Sequence, residues 1–183
     1  MKHYLLISLA CLITLPVSAS LNYQEPVEDI ASLAKAQLAP SVRVNSKGTA
    51  MLLLARSLYP PIATLSEPEL RLGGLRVNPQ KNIGSRVRYY RDIKVQTLSG
   101  ANPKEVVKPE SGQPRMAKPV SGLPENPQLA YFSWSPDEQA VAFTHTSAIG
   151  VELWVLDVAS VTARRLFKRL LNANLGSPFT WAA

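Results

Sequence analysis

The stretch from Ala130 to Phe167, AYFSWSPDEQAVAFTHTSAIGVELWVLDVASVTARRLF, constrains the fold of this chain more than any other part. It reads as three strands separated by two turns. Ser135-Pro136-Asp137-Glu138 has type I turn chemistry. A polar residue opens it, proline presets φ at about −65°, and the aspartate can bond back to the backbone. Trp134 precedes the turn and the apolar run Val141-Ala142-Phe143 follows it. In the next strand Leu153, Val155 and Asp157 share one face, while Trp154, Leu156 and Val158 share the other. Both faces are largely apolar, which predicts a strand packed between layers on each side.

The same unit occurs earlier in degenerate form. Val42-Arg43-Val44 is followed by the turn Asn45-Ser46-Lys47-Gly48 and the apolar strand Ala50 to Leu54. Asn45–Gly48 stands where Ser135–Glu138 stands in the second copy, and Arg91 to Leu98 parallels Val151 to Val158. A further turn, Ser99 to Asn102, leads to Lys104-Glu105-Val106-Val107. A supersecondary unit present twice is the mark of a repeat architecture. Strand meanders of this order predict an all-β fold, a partial β-propeller. About two blades and the start of a third are expected, with a short helical segment before them. The expected divisions are an export signal over 1–19, an extension with a short helix over 20–41, a first blade over 42–108 carrying an insertion over 56–90, a proline-rich linker over 109–129, a second blade over 130–168, and the cut-off start of a third blade over 169–183.

Fifteen prolines and nine glycines among 183 residues favour many short elements over a helical bundle. Net charge is +7, scattered through Arg43, Arg56, Arg71, Arg76, Arg86, Arg88, Arg91, Arg164, Arg165 and Lys168 among others. No basic helix or aromatic-interleaved basic stripe accompanies the charge, so it reads as a solvated surface and no nucleic-acid partner is expected. Residues 1–20 have the form of an export signal: Lys2, an apolar run from Leu5 to Leu15, then Val17-Ser18-Ala19. Cleavage before Ser20 predicts an exported protein, periplasmic or secreted, without stable membrane insertion. Cys11 comes too early in the apolar run to accept a lipid. The mature chain then holds no cysteine, which removes disulfides and thiol chemistry.

Within the extension, Pro26 suits a first helical turn and Glu28 and Asp29 favour its positive end, with Ile30, Leu33, Ala34 and Leu38 on one face. In the insertion, Tyr59-Pro60-Pro61-Ile62 must be extended. Ser66-Glu67-Pro68-Glu69-Leu70 is expected to cap a short helix that Gly73-Gly74 ends. Long ordered insertions in repeats are more often functional than filler, though a plain surface loop fits the same residues. Pro109, Pro114, Pro119, Pro124 and Pro127 mark an exposed connection.

Trp134-Ser135-Pro136-Asp137 followed by Val151-Glu152-Leu153-Trp154-Val155-Leu156-Asp157 resembles the repeats of TolB-like and prolyl oligopeptidase propellers. The insertion sharpens the likeness. Arg56-Ser57-Leu58-Tyr59-Pro60-Pro61-Ile62-Ala63-Thr64-Leu65 and Leu70-Arg71-Leu72-Gly73-Gly74-Leu75-Arg76-Val77 resemble a segment of the glutamyl endopeptidases of the prolyl oligopeptidase family. Asn82, Ser85, Arg86, Tyr90, Ile93 and Val95 continue it, so the likeness covers most of Tyr23 to Trp181. The resemblance implies a serine peptidase in which a propeller admits peptides to an α/β-hydrolase domain. That domain is missing here, and peptide substrates would be met through it.

No catalytic, cofactor-binding or metal-binding residue is assigned. The sequence has no Gly-x-Ser-x-Gly nucleophile elbow. His145, the only histidine beyond the signal, sits between Thr144 and Thr146 inside an expected strand and reads as a structural or solvent-facing residue. One histidine and no mature cysteine cannot build the usual zinc site. Glu25, Glu28 and Asp29 follow no calcium-loop spacing, and Gly73-Gly74 lacks the lysine of a phosphate loop. The expected function is therefore that of a non-catalytic N-terminal propeller fragment of an exported serine peptidase, gating or positioning peptides. The alternative is a stand-alone TolB-like protein-binding module of the cell envelope. In the fragment reading, blade faces bearing Trp134, Trp154 and Leu156 are expected to be uncovered and open to self-association.

Overall fold

The structure, a computed structural model, describes residues 24–98 and 116–182. The expected export signal, the Ser99–Asn102 turn, Lys104–Val107 and the linker up to residue 115 lie outside the described residues. The chain divides into two units, residues 1–36 and 37–183. The described part of the first is one helix, α1 (Glu28–Lys35), with Glu28 and Asp29 in its first turn and Lys35 in its last. That placement complements the helix dipole at both ends. Leu38, expected on its apolar face, lies beyond its end.

The second unit is almost entirely β. Numbered along the chain, β1 (Ser41–Val44), β2 (Ala50–Ala55), β6 (Asp92–Thr97) and β7 (Lys118–Pro119) form one antiparallel sheet in the order β1-β2-β6-β7. A second sheet holds β8 (Leu129–Trp134), β9 (Ala140–Thr146), β10 (Val151–Asp157) and β11 (Thr162–Arg165), again as a simple meander. Between β2 and β6 the insertion builds a small third sheet, β3 (Leu70–Leu72), β4 (Leu75–Asn78) and β5 (Ile83–Gly84), preceded by the one-turn helix α2 (Ile62–Leu65).

The two equivalent turns close alike. In the first, the Gly48 amide donates to the Asn45 carbonyl at 3.1 Å, and the Asn45 amide donates to the Ala50 carbonyl at 3.0 Å. In the second, Glu138 donates to Ser135 at 2.9 Å and Ser135 to Ala140 at 2.9 Å. Gly48 at φ 67° and Glu138 at φ 64° occupy the same left-handed position. Each is a four-residue hairpin loop built around a type I turn, with the left-handed residue third in the loop. The opening side chain secures each turn: Asn45 Oδ1 accepts from the Thr49 and Ala50 amides, and Ser135 Oγ accepts from the Ala140 amide at 2.9 Å.

Register fixes which residues meet. Trp154 pairs with Phe143 and Leu156 with Val141, so these four share the face turned to the first sheet. There Leu52, Leu54, Ile93 and Val95 meet Phe132, Val141, Phe143 and Leu156 in one core. Each large apolar side chain buried in this way contributes about 1.5–3 kcal/mol. Phe132 stacks on Phe143 at 5.4 Å and takes the edge of Tyr90 at 5.6 Å. Leu156, expected to be uncovered, is fully buried, and Trp134 and Trp154 are half-buried against the same core. The first sheet provides the cover. The opposite face is buried as well: Thr144, Thr146, Val151 and Leu153 are all inaccessible or nearly so. Val151 packs there with Ile83 of β5 and with Ala173 from the segment after β11.

Two stretches differ from the sequence reading. Gly73 (φ 54°) and Gly74 (φ 94°) do not end a helix; they turn the chain between β3 and β4. A two-residue hairpin of type I′ needs positive φ at both central positions, which consecutive glycines supply. The helical residues instead lie earlier, at Ile62–Leu65. The proline-rich stretch also contributes to a sheet, because β7 pairs with β6 and Val120 beside it is buried. Pro119 is tolerated there because β7 is an edge strand. No helix among the described residues is long and apolar enough to cross a membrane.

Candidate binding cavity in the insertion

The insertion leaves β2 at Ala55 and returns where the Arg91 amide donates to the Ala55 carbonyl at 2.8 Å. Beside this closure Tyr90 and Leu129 exchange two backbone bonds, at 2.8 and 2.9 Å, which tie the insertion to the second sheet. Outbound, the chain bends at Leu58 and Tyr59 and then enters α2, whose capping residue Pro61 is extended with φ −61° and ψ 150°. Inbound, Asn78 Oδ1 accepts from the Gln80 and Lys81 amides at 3.0 and 3.2 Å and turns the chain from β4 towards β5. A cavity of about 690 Å³ lies between the two arms, with Gln128 at the start of the second sheet also in its wall.

Its walls are unusually charged. Five arginines (56, 71, 86, 88 and 91) and two glutamates (67 and 69) line it. Glu69, on the residue before β3, gathers its surroundings: Ser85 Oγ donates to its Oε2 at 2.6 Å, Arg71 Nε and Arg76 Nη1 donate to its Oε1 at 3.1 and 3.0 Å, and Arg86 Nε lies 3.6 Å from Oε2. The Ser85 hydroxyl, then the Arg71 bond and the Arg76 and Arg86 charges, lower its pKa to about 2 against the opposing effect of burial. Glu67 is held by Asn78 Nδ2 at 2.6 Å and Lys81 Nζ at 2.5 Å. Both carboxylates are thus engaged from within the insertion. Arg56, Arg88 and Arg91 are exposed and have no ion-pair partner among the described residues.

Behind Gln128 sits His145, buried in β9. Its Nδ1 accepts from the Gln128 amide at 3.3 Å, and its ring meets Trp154 edge-on at 6.2 Å. Burial lowers its pKa, opposed by the nearby Glu152 charge. Glu152 is itself occupied by Arg165 Nη1 at 3.0 Å and Trp154 Nε1 at 3.0 Å. Among the described residues no serine hydroxyl bonds to His145. Glu25, Glu28 and Asp29 lie in and before α1, outside the unit that holds the cavity.

The sequence reading singled out Ser85 and Arg86 for a resemblance, and Glu67 and Glu69 for a helix cap. The structure brings all four together with Arg71 and Arg76. A local signal existed in Glu69, Arg71 and Arg76, since residues two apart on a strand share a face and a hairpin pairs Arg71 with Arg76.

No family model matches the chain, and no solved structure matches it. Two curated proteins do. One is a protein named probable glutamyl endopeptidase, chloroplastic, from Oryza sativa subsp. japonica, 30% identical over 174 residues, which is 90% of this chain and 17% of the relative. The other carries the same name in Arabidopsis thaliana, 28% identical over 168 residues, 87% of this chain and 16% of the relative. The chain spans about one sixth of the length of these relatives and is related in sequence to a peptidase-named group.

Proposed function

We propose that this chain is the non-catalytic, propeller-type portion of a peptidase related to the glutamyl endopeptidases, and that it positions peptides for a catalytic portion elsewhere. In this reading each four-stranded meander is a blade, and the insertion of the first blade forms part of the peptide's path. The observation that carries it is the pairing of two facts. The similarity runs along nearly the whole chain yet falls on about a sixth of the relatives, and the sequence contains no nucleophile elbow. The repeated meanders with equivalent turns support the blade assignment. The cavity, open and walled in part by Tyr59, Pro60 and Pro61, supports a path for a peptide. The leader over residues 1–19 makes the protein an exported one in this reading.

Two measurements on the purified chain test the proposal. Glutamate-containing peptides should be left uncut, and hydrolysis by this chain alone overturns the non-catalytic assignment. Added peptides should slow amide hydrogen exchange in residues 56–91; unchanged exchange at saturating peptide overturns the positioning role.

A further inference from the structure

Two features of the cavity go beyond peptide positioning. The first is its charge. Counting Arg76 and Lys81, which reach its glutamates from the side, seven cations surround two carboxylates. The second is how that charge is distributed. Glu69 and Glu67 are saturated by Ser85, Arg71, Arg76, Asn78 and Lys81, so they order one wall and leave Arg56, Arg88 and Arg91 unneutralised by any described residue. Three exposed like charges lining one opening give it a positive potential that favours an anionic occupant, the more so at low salt.

We propose that this cavity is a docking cleft for an acidic stretch of peptide, one that carries two or more carboxylates close together. The proposal deepens the peptide-positioning reading and rests on it. A single exposed arginine–carboxylate pair changes affinity by about fivefold at most. Recognition here therefore requires several carboxylates engaged at once, each able to take a forked contact from a guanidinium. The rest of the lining suits a peptide. Pro60-Pro61 gives a rigid, extended wall, and Leu58, Leu65 and Val87 offer apolar surface between the charges. Nucleic acid fits less well. Its backbone carries a charge at every nucleotide and would set some against Glu67 and Glu69, whose carboxylates are fixed in the wall. A peptide can space its carboxylates to meet the arginines alone.

The test uses the whole chain and fluorescent peptides of equal length in an anisotropy titration. One peptide carries clustered glutamates, one a single glutamate, and one glutamine throughout; a single-stranded DNA oligonucleotide is the fourth probe. The clustered peptide should bind at least about tenfold more tightly than the glutamine peptide and weaken steeply with added salt. Combining Arg56→Gln, Arg88→Gln and Arg91→Gln should abolish the preference, while the corresponding lysine substitutions retain part of it with the same far-ultraviolet dichroism. Equal binding of the clustered and glutamine peptides overturns the acidic preference and leaves peptide positioning standing. Binding of no peptide at all overturns both. A single glutamate binding as tightly as the cluster, or DNA binding more tightly, overturns the choice of ligand.

Discussion

Glu138 Oε2 accepts a hydrogen bond from Asn45 Nδ2 at 2.7 Å, joining the equivalent turns of the two four-stranded sheets across 93 residues of sequence. The Ser46 and Lys47 amides add donors at 2.9 and 3.4 Å, the Ser46 hydroxyl bonds to the same carboxylate, and Lys47 Nζ reaches the Asp137 carbonyl at 3.2 Å. Glu138 adopts φ 64°, a conformation that L side chains avoid, where the other turn has Gly48. Its carboxylate contacts account for a glutamate at a position whose backbone favours glycine. Replacing Glu138 by glycine should therefore lower the melting temperature, although glycine relieves the backbone. In a double-mutant cycle with Asn45→Ala the two losses should fall short of additive. Full additivity would show that the turns are not coupled.

Gly122 should tolerate no side chain. It lies at φ 74°, and a Cβ there would sit 2.4 Å from the Ala163 carbonyl oxygen. That oxygen belongs to β11, beside the bridge in which Ser121 pairs with Thr162. Backbone cannot yield as a flexible side chain would, so Gly122→Ala is expected to cost about 2 kcal/mol or more. A urea unfolding curve measures this directly, and a midpoint unchanged from the parent chain would contradict the packing described.

Acid should loosen the insertion. The pKa of Glu69 is about 2, below the ordinary 4.5 of the unfolded chain. Its ionisation therefore contributes stability in full above about 4.5, and that contribution disappears as pH falls towards 2. Hydrogen exchange at Leu70 to Asn78 should accelerate through that window, and Glu69→Gln should remove most of the pH dependence there. The lowered values of Asp137, Glu138 and Asp157 act in the same direction elsewhere, so the local probe is the informative one.

Export should remove residues 1–19, because Val17 and Ala19 place small side chains at both positions required for cleavage. Intact-mass measurement of the protein recovered from the producing cell decides it. A chain that retains Met1, or a lipid on Cys11, would contradict the expected leader.

Much of the strand framework could be read from the sequence because its signals are local. Asn45–Gly48 and Ser135–Glu138 close with hydrogen bonds inside each turn, and the alternation of Leu153 to Leu156 declares two apolar faces. β7 and β11 could not be read that way. Lys118–Pro119 is two residues long and contains proline, and Thr162–Arg165 is polar at three of four positions. Pairing with β6 and β10 makes them strands, and pairing is a tertiary property. The cavity was illegible for the same reason. Ser85 reaches Glu69 across 16 residues, and Lys81 reaches Glu67 across 14. Only the β3–β4 hairpin and the Asn78 turn bring those side chains together.

Residues 171–173 have a consequence for the order of assembly. The Leu171 amide donates to the Val151 carbonyl at 2.7 Å, the Ala173 amide to Asn82 at 2.8 Å, and the Gly84 amide to Ala173 at 3.3 Å. The far edge of the small sheet is therefore completed by backbone made about ninety residues later. During synthesis β3, β4 and β5 can pair as soon as they leave the ribosome, but the outer edge of β5 must wait for its partner. Until Ala173 emerges, the opening lined by arginines has one wall without its outer support. Its final shape is thus a late event in the life of the nascent chain.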